Sequence, residues 1–354
     1  MSEDRRIAVA MSGGVDSSTA AALLAERGED VFGLMLRLWS PEGMQNRCCS
    51  PDDMTVARQV ANQIDIPFYA IDAQEQFKHV VVDPFIEGYR NGVTPNPCLA
   101  CNRHIRFGFL LDTALALGAT HLATGHYARI MQTNAKFELL RAKDLSKDQS
   151  YVLSVLTQEQ LSYTCFPLGD LTKQEVRIHA HRFDLPVAER PESQDLCFVG
   201  QSNYRAFLRK HGGQLPPSGP IVSNAGEILG EHQGLAFYTI GQRKGLGISS
   251  PAPLYVLRKD VSTNTLVVGA RWELGRCSFH VRDVNWISGE HPPKTFRAEV
   301  RVRYKAPDCW ASIQQQDSDI THVTLDEPIP DITPGQAAVF YREQKCLGGG
   351  TIVA

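Results

Sequence analysis

Two cysteines three positions apart, Cys98 and Cys101, follow a Pro-Asn-Pro turn in the stretch TPNPCLACN, residues 94–102, here called the cysteine segment. Thiols at this spacing can bind zinc, form a redox pair, ligate an iron–sulfur cluster or supply a nucleophile. Zinc would need two further ligands, which Cys197 and His104 could supply. The chain has nine cysteines, and this odd number argues against a disulfide framework. The spacing alone leaves these kinds of chemistry open.

A second candidate site is the stretch AMSGGVDSS, residues 10–18, here called the phosphate loop. Its adjacent glycines permit a tight turn and close approach to a ligand, and its serine hydroxyls and a following helix N-terminus suit phosphate. The loop lacks the GK[ST] ending of a Walker A motif and is not GxGxxG. Phosphate would repel Asp16 unless a metal bridges them, so the loop implies Mg²⁺. The simpler alternative is an ordinary glycine-rich strand–helix turn.

The elements around the phosphate loop predict an α/β fold. Apolar runs that are typical of strands lie at residues 7–11, 31–36, 68–72 and 121–125, and segments with helical spacing lie between them. This alternation predicts a Rossmann-like parallel sheet that is covered on both faces and binds ligands beyond the carboxyl ends of its strands. The capping box TKQE predicts a further helix over residues 173–183.

From about residue 215 the pattern changes to short strands rich in Gly and Pro turns, which predicts one or two small β-barrel-like domains. In FRAEVRVRYK, residues 296–305, apolar and charged side chains alternate. Phe296, Ala298, Val300, Val302 and Tyr304 should face the core, and Arg297, Glu299, Arg301, Arg303 and Lys305 should form a charged stripe. Alone this stripe is interpreted as solvated; with GQRKGLG it becomes a candidate track for nucleic-acid phosphates.

Composition limits the classes of protein. Of the 354 residues, 43% are hydrophobic and 21% charged, as in soluble globular proteins. No run approaches the roughly 20 apolar residues of a membrane span, and the N-terminus does not resemble a secretory signal, so we expect a cytoplasmic protein without a membrane partner. Residues 1–200 carry 19 Lys and Arg against 25 Asp and Glu, whereas residues 201–354 carry 17 against 14.

These motifs resemble known families. SGGVDS after the first strand resembles the pyrophosphate loop of N-type ATP pyrophosphatases, which cleave ATP between the α and β phosphates and adenylate an oxygen. The chain also resembles the tRNA-specific 2-thiouridylases along nearly its whole length. The matching segments, in family order, are GLMLRLW, GVTPNPCLACNRHIRFG, TGHYARI, KDQSYVL, RPESQDLCFVG, FYTIGQRKGLG, VRYKAP and PGQAAVFY.

The resemblance implies three domains: an ATP pyrophosphatase domain over residues 1–203, a small β-rich domain over 204–274 and a β-barrel over 275–354. It also implies a site for ATP and one for tRNA. The ATP residues would be Ala10, Met11, Ser12, Gly13, Gly14, Val15, Asp16, Ser17, Leu36 and Gly125. The tRNA residues would be Asn96, Pro97, Cys98, His126, Lys147, Asp148, Gln149, Arg303, Tyr304 and Gln336.

The implied reaction is thiolation of the wobble uridine in tRNAs of the Glu, Gln and Lys type. Uridine O2 would attack the α-phosphate of ATP and release pyrophosphate. Cys197 would carry a persulfide received from a sulfur-carrier protein or a cysteine desulfurase, and Cys101 would be the nucleophile that forms a disulfide with Cys197 as AMP leaves. Adenylation would make a poor leaving group a good one, and a persulfide is a good nucleophile.

Two positions depart from the family pattern. Cys98 stands where many members have Asp, and Leu36 where Met is common. Cys98, Cys101 and Cys197 would then form a three-thiol set, which leaves open a thiolase with an iron–sulfur cluster. Two further hypotheses are a small-molecule ligase of the ATP-pyrophosphatase type, which would not use the cysteines, and a zinc-binding RNA-binding protein without catalysis. Cys48 and Cys49, adjacent in a predicted loop, are interpreted as incidental or weakly metal-binding.

Overall fold

The computed structural model describes residues 5–41, 50–191, 196–199, 203–316, 319–330 and 332–353, so Cys48 and Cys49 lie outside the described residues. Its strands are β1 (Arg6–Ala10), β2 (Asp30–Arg37), β3 (Phe68–Asp72), β4 (His121–Thr124), β5 (Ala128–Thr133), β6 (Lys136–Arg141), β7 (Thr164–Cys165), β8 (Gly219–Ser223), β9 (Ile228–His232), β10 (Tyr255–Asp260), β11 (Thr265–Gly269), β12 (Arg276–Trp286), β13 (Thr295–Arg301), β14 (Cys309–Gln315), β15 (Ile320–Ile329), β16 (Ala337–Arg342) and β17 (Lys345–Val353).

The α-helices are α1 (Val15–Glu26), α2 (Pro51–Gln63), α3 (Gln74–Phe77), α4 (Asp83–Arg90), α5 (Pro97–Ala100), α6 (Leu111–Ala116), α7 (Ser150–Leu153), α8 (Gln158–Ser162), α9 (Lys173–Arg182) and α10 (Tyr204–His211). Two π-helical segments continue the helices that precede them: Lys78–Val82 joins α3 to α4, and Cys101–Leu110 joins α5 to α6. Short 3₁₀ turns lie at Leu235–Phe237 and Arg271–Leu274. The described helices include none long and apolar enough to cross a membrane.

The N-terminal sheet is parallel and confirms the predicted α/β fold. Its strand order is β3-β2-β1-β4-β7, with β1 between β2 and β4. Ile7, Ala8 and Val9 of β1 are completely buried because helices cover both faces of the sheet. The predicted strands are confirmed, with bounds that differ by one residue or less. The two-residue edge strand β7 was not predicted because it is too short to show periodicity.

The predicted capping box is also confirmed, and it starts α9. The Thr172 hydroxyl accepts a hydrogen bond from the backbone N–H of Glu175, and the Glu175 carboxylate accepts one from the backbone N–H of Thr172. These two bonds satisfy two N–H groups that the first turn would leave without partners. The cap fixes Lys173 as the first residue of the helix, and the position of that lysine matters at the site described below.

The second half of the chain is β-rich, as predicted. Strands β8–β11 form a four-stranded sheet in the order β10-β11-β8-β9. Strands β12, β15, β14, β13, β16 and β17 pair in that order, and β17 pairs back with β12, so six strands close a barrel. The hairpin β5–β6 extends this sheet through pairing of β6 with β17, although it belongs to the N-terminal half of the sequence.

Strand β13 confirms the predicted alternation as far as Arg301, whereas residues 302–305 lie in a bend and a turn beyond the strand and not in the strand predicted for them. Ala298 and Val300 are completely buried inside the barrel, and Val302 follows them at 2% exposure.

The apolar core of the N-terminal region continues into the central region. One cluster joins β1, β2 and α4 of the N-terminal region to Phe207, Leu235 and Val256 of the central region. The central region therefore packs directly on the helices that precede the cysteine segment.

Candidate active site

The phosphate loop turns sharply between β1 and α1 at the carboxyl edge of the sheet. Gly13 has φ +70°, and a Cβ on it would lie 2.6 Å from the backbone oxygen of Asp53, so no other residue fits without displacement. The Ser12 N–H donates to Ser17 Oγ at 3.1 Å, which closes the loop on itself. Gly14 caps α1 with no side-chain acceptor. No side chain of the cap residue therefore occupies the N–H groups at the start of α1, where a bound anion such as a phosphate would be stabilised.

Asp16 in this loop is held by two side chains from later in the chain. Lys173 Nζ donates to both carboxylate oxygens, at 2.7 and 2.8 Å, and Tyr127 Oη donates to Oδ1 at 2.7 Å. The Lys173 side chain is 11% exposed and that of Asp16 is 33% exposed. The protein itself therefore balances the negative charge that the sequence had assigned to a metal. Within the described ranges no group of three His, Cys, Asp or Glu side chains could hold a metal ion.

Arg190 supports the loop from its other side. Its Nη1 donates to the backbone oxygen of Gly13 at 2.6 Å, and its Nη2 forms an ion pair with the buried carboxylate of Asp53. Asp53 also accepts from the backbone and hydroxyl of Ser50 at the start of α2, at 2.9 and 2.7 Å. The guanidinium thereby fixes the loop to α2. Sequence reasoning missed Lys173, Tyr127 and Arg190, although all three lie in segments that attracted attention for other reasons: TKQE, TGHYARI and RPESQDLCFVG.

The structure brings the predicted ATP residues together at the carboxyl ends of β1, β2 and β4. Gly125 follows β4, and a Cβ there would lie 2.7 Å from the Ser17 backbone nitrogen, so the two backbones are in contact. Leu36 near the end of β2 packs, partly buried, against the core. A cavity of about 670 Å³ lies instead at the amino ends of the strands, beside Arg5, His121 and Cys165. Parallel sheets bind ligands at their carboxyl ends, so we place the site at the phosphate loop.

The cysteine segment begins with a capped turn. The Asn96 side chain accepts a hydrogen bond from the backbone N–H of Cys98 at 3.2 Å and so starts α5, with Pro97 in its first turn. Cys98 is exposed, and Cys101, the first residue of the π-helical segment, is half-buried. Cys101 and Cys197 both pack against the core cluster that contains Phe77, Phe85 and Phe198. Within the described residues, the three thiols do not form a group that could hold a metal ion.

The barrel holds the cysteine segment from outside. Gln336 Nε2 donates to the backbone oxygen of Thr94 at 2.8 Å, and the Thr94 N–H donates to the backbone oxygen of Pro334 at 3.0 Å. Gly335 has φ +91°, and a Cβ there would lie 2.2 Å from Val93 Cγ1. Arg303 Nη2 donates to Thr333 Oγ1 at 2.9 Å, two residues before Gly335. Residues 333–336, here called the barrel loop, therefore position the start of the cysteine segment.

Three of the predicted tRNA residues are buried: Pro97 in the first turn of α5, Asp148 and His126. Asp148 is 3% exposed and accepts from the Ala142 backbone and the Ser150 hydroxyl, at 3.1 and 2.8 Å. His126 is 5% exposed, with Thr124 Oγ1 at 2.8 Å from Nδ1 and Arg106 Nη1 at 3.1 Å from Nε2. Burial, together with the Arg106 guanidinium, holds the pKa of His126 well below its ordinary value. Both side chains bond inward, toward their own structural neighbours.

The seven other predicted tRNA residues are half-buried or exposed. Lys147 and Gln149 are half-buried, and the Gln149 side chain accepts from the Tyr127 backbone at 2.9 Å, which connects this segment to the residue that holds Asp16. Arg303 and Tyr304 are half-buried beside the barrel loop, and the Tyr304 ring lies 6.3 Å from that of Tyr151.

Two arginines of the charged stripe form salt bridges with carboxylates. Arg297 donates to Asp326 of the barrel strand β15 at 2.7 Å. Arg301 donates to Asp308 at 2.8 Å and is only 13% exposed. Carboxylates from other barrel segments thus neutralise two of the three arginines, and alternation along one strand could not show this. Salt bridges thus engage Arg297 and Arg301, and the phosphate track stays a prediction.

Comparisons with known proteins agree with this layout. The chain matches family models described as the tRNA methyl transferase HUP domain over residues 5–201, the tRNA methyl transferase PRC-barrel domain over 205–270 and the aminomethyltransferase beta-barrel domain over 276–352. It is 47% identical to the tRNA-specific 2-thiouridylase MnmA of Moorella thermoacetica, over 97% of this chain and 98% of that protein. The protein of the same name from Acidobacterium capsulatum is 46% identical, with complete coverage of both chains.

Solved structures give weaker likenesses. A 4-thiouridine synthetase in complex with RNA and bound ATP is 15% identical, with a TM-score of 0.36 over 58% of this chain and 49% of that one. The NMN synthetase of Francisella tularensis is 16% identical, with a TM-score of 0.35 over 56% of this chain and 70% of that one. Likenesses this low carry no argument about function.

Proposed function

The chain belongs to the tRNA-specific 2-thiouridylase family, and on that premise we propose that it replaces O2 of the wobble uridine of tRNA with sulfur after adenylating that oxygen. It is thus a tRNA-uridine 2-sulfurtransferase. The observation that carries the proposal is the full-length relatedness of a chain whose phosphate loop lies at the carboxyl edge of a parallel sheet, with the cysteine segment close in the same core. We assign the Glu, Gln and Lys tRNAs as its substrates.

In the first step ATP binds over the phosphate loop. The α1 N-terminus and the hydroxyls of Ser12 and Ser17 support its phosphates. Gly125, which has no side chain, lets the backbone after β4 lie against the backbone of Ser17. Lys173 balances the charge of Asp16, so a polyphosphate can approach without facing an uncompensated carboxylate. Uridine O2 then attacks the α-phosphate, and pyrophosphate leaves. The ATP site comprises Ala10, Met11, Ser12, Gly13, Gly14, Val15, Asp16, Ser17, Leu36 and Gly125.

In the second step sulfur reaches the activated C2. Cys197 carries a persulfide supplied by a sulfur-carrier protein or a cysteine desulfurase. The terminal sulfur bonds to C2 and AMP leaves with the former O2, while the Cys101 thiolate attacks the Cys197 sulfur and breaks the S–S bond of the persulfide. The products are the thiolated base and a disulfide between Cys101 and Cys197, which an external thiol reductant must reduce.

Two inorganic groups were expected, and the residues present do not offer a prepared site for either. Lys173 engages both oxygens of the Asp16 carboxylate, so Mg²⁺ would have to displace this ion pair to bind Asp16. Cys98, Cys101 and Cys197 do not form a metal-ligand group within the described chain. The proposed reaction therefore routes no step through a protein-bound magnesium ion or an iron–sulfur cluster.

The tRNA would bind along the cysteine segment, Lys147, Gln149 and the barrel residues Arg303, Tyr304 and Gln336. We assign His126 and Asp148 a positioning role, since both side chains are buried and bonded within the protein. We also propose three domains over residues 1–203, 204–274 and 275–354, which differ by a few residues from the matched family models. Action on tRNA would place the protein in the cytoplasm.

The test uses an unmodified Glu tRNA transcript with ATP, a cysteine desulfurase and cysteine under anaerobic conditions. We compare the wild type with Cys98→Ser, Cys101→Ser and Cys197→Ser, and mass spectrometry of the digested tRNA distinguishes sulfur for oxygen from a methyl addition. The persulfide proposal predicts that only Cys98→Ser keeps activity. Loss of activity in all three variants, with iron in the wild type, would favour a cluster. AMP formation that needs no tRNA would point to a small-molecule ligase.

A further inference from the structure

We propose that residues 241–247, here called the glycine loop, bind backbone phosphates of tRNA and extend the tRNA surface from the barrel onto the central region. This inference rests on the proposed function, because it names a further contact with the same substrate. The sequence joined GQRKGLG to the charged stripe as one candidate phosphate track, but this loop's cations are not among the predicted site residues. Three observations support it: charge, loop geometry and continuity with the barrel.

The central region carries uncompensated positive charge. Residues 204–274 contain eight Lys and Arg and four Asp and Glu, a net +4 in a chain of net −3. In the described part of the chain, none of these eight forms a salt bridge, whereas carboxylates pair with Arg297, Arg301 and Lys173 elsewhere. The eight are Arg205, Arg209, Lys210, Arg243, Lys244, Arg258, Lys259 and Arg271. Such a field attracts polyanions.

The glycine loop presents two of these cations on a fixed base. Its first end is held by backbone hydrogen bonds, from the Gly241 N–H to the Val256 oxygen at 2.8 Å and from the Gln242 N–H to the Thr239 oxygen at 3.0 Å. Gly241, Gly245 and Gly247 have φ of +82°, +75° and +73°, a conformation that side-chain-bearing residues rarely adopt. Between them Arg243 and Lys244 are exposed. The turn therefore aims both cations into solvent without requiring the loop to be mobile.

A third cation and a cavity complete the candidate site. A guanidinium nitrogen of Arg205 lies 3.0 Å from the point where a Gly245 Cβ would be, so Arg205 lies directly against the loop. A cavity of about 370 Å³ opens beside the loop and is lined by Arg243, Gly247 and Ser250 together with apolar residues that include Leu246 and Leu254. The glycine backbone and Arg243 at the cavity, together with Lys244 in the same loop and Arg205 against it, suit an anion as compact as a phosphate.

The glycine loop continues the surface assigned to tRNA. Ile240, which precedes the loop, accepts a hydrogen bond from Arg303 Nη2 at 3.3 Å through its backbone oxygen. Arg303 also donates to Thr333 of the barrel loop, whose Gln336 holds the cysteine segment. A single polyanion that contacts Arg303 can thus reach the glycine loop by following adjoining residues. An acidic protein would be attracted by the same charge, but stable protein interfaces use apolar anchors, and Leu246 in this loop is only 6% exposed.

The experiment measures binding of a full-length unmodified tRNA transcript at several salt concentrations. The test variant is Arg243→Ala with Lys244→Ala; the matched control is Arg258→Ala with Arg271→Ala, two exposed cations of the same region outside the loop. For the test variant we expect the Kd to rise about tenfold near 0.1 M salt and the log–log salt slope to fall by about 0.7–0.9 for each phosphate that the variant no longer neutralises. The single-turnover thiolation rate at saturating tRNA and the KM for ATP should not change.

Several outcomes would overturn the inference. Unchanged affinity and slope would do so, as would an equal reduction in affinity in the control variant. Slower sulfur uptake from the desulfurase with intact tRNA binding would assign the loop to an acidic protein instead. Should the double variant fold poorly, Arg243→Gln and Lys244→Gln singly should each give part of the slope change. If the wild type binds tRNA but never thiolates it, the proposed function fails while the binding comparison still decides the role of the loop.

Discussion

The phosphate loop and the cysteine segment are positioned in opposite ways. Side chains of the N-terminal region hold the phosphate loop: Lys173 and Tyr127 on Asp16, and Arg190 on Gly13 and Asp53. The cysteine segment depends on the barrel, where Gln336 and Pro334 bond to Thr94 and Gly335 packs against Val93. One region is fixed by its own domain, and the other by contacts across more than two hundred residues of sequence.

On the proposed mechanism, this difference separates two half-reactions: adenylation of the uridine and sulfur transfer. Adenylation should depend on groups that surround the phosphate loop and be insensitive to small displacements of the barrel. Sulfur transfer should depend on how the barrel seats the cysteine segment, because a displacement of about 1 Å at a reacting group can reduce a rate about a hundredfold. Since the barrel also carries Arg303 and Tyr304, tRNA that binds there contacts the element that positions the cysteines. The proposed surface for tRNA and the support for sulfur transfer thus share the barrel loop.

The largest expected effect comes from Lys173→Met. The change leaves Asp16 as an uncompensated carboxylate where phosphates must bind, and breaking a partly buried ion pair costs about 3–5 kcal/mol. We expect kcat/KM for ATP to fall by about two to three orders of magnitude, measured as pyrophosphate release with tRNA and no sulfur donor. Transfer of sulfur to tRNA that is already adenylated should be affected far less.

Lys143→Met is the matched control for this change. Lys143 pairs with Glu175 of the same helix α9 at 3.5 Å, with side chains 53% and 42% exposed. Exposed pairs of this kind contribute about 0–1 kcal/mol, so adenylation should stay near the wild-type level. The double variant Lys173→Met with Asp16→Asn removes both charges and should recover part of the missing activity. If the double variant is as inactive as Lys173→Met, charge compensation is not the role of Lys173.

A smaller effect, on the other half-reaction, should follow from Gly335→Ala. Its Cβ would lie 2.2 Å from Val93 Cγ1 and 2.8 Å from the Thr94 oxygen, at φ +91°, so the barrel loop or the cysteine segment must move. We expect sulfur transfer to fall about ten- to a hundredfold while pyrophosphate release changes little. Gly226→Ala is the control, since Gly226 has φ +88° with nothing within 4 Å of the added atom. An equal decrease in both half-reactions would contradict the separation between them.

The sequence predicts the phosphate-loop side better than the cysteine side, for a physical reason. Strand β1, the glycine turn and α1 are adjacent in the chain, so apolar spacing and Gly13 indicate them directly. The pair of Asp16 with Lys173 joins residues 157 positions apart, and the bond from Gln336 to Thr94 joins residues 242 apart. Periodicity carries no information about such contacts. The family resemblance placed Gln336 at the site, but only the structure shows that its amide supports the cysteine segment.

The same limit explains the stripe on β13. Alternation correctly predicted which side chains face the barrel core, because it follows from strand geometry alone. Whether the outward arginines are free depends on Asp326 and Asp308, which come from other segments of the barrel. Because Asp308 and Asp326 lie outside residues 296–305, the stripe resembled a phosphate track. The glycine loop differs from the stripe, because Arg243 and Lys244 are exposed in the structure as the local sequence GQRKGLG suggested.

The smallest expected effect concerns the link between the two regions, His126. Its ring bonds to Thr124 at the end of β4 and to Arg106 in the π-helical segment that begins at Cys101. Because the folded-state pKa of His126 lies well below the ordinary value of about 6.5, only the unfolded chain takes up this proton as the pH falls below about 6.5. Stability should therefore be unaffected by this group above that pH and should decrease below it, by up to about 1.4 kcal/mol per pH unit.

His126→Gln should remove this pH dependence while leaving both half-reactions within about threefold of the wild type, because the ring stays neutral at the assay pH and packs within the protein. The measurement is urea unfolding at pH values between 7.5 and 5, compared as wild type minus variant so that other histidines cancel. His291→Gln serves as the control, since His291 is exposed in the folded protein, where its ring contacts the Gln315 side chain at 3.2 Å. A large decrease in sulfur transfer in His126→Gln, with adenylation intact, would instead make this ring a second support of the cysteine segment and weaken the contrast between the two regions.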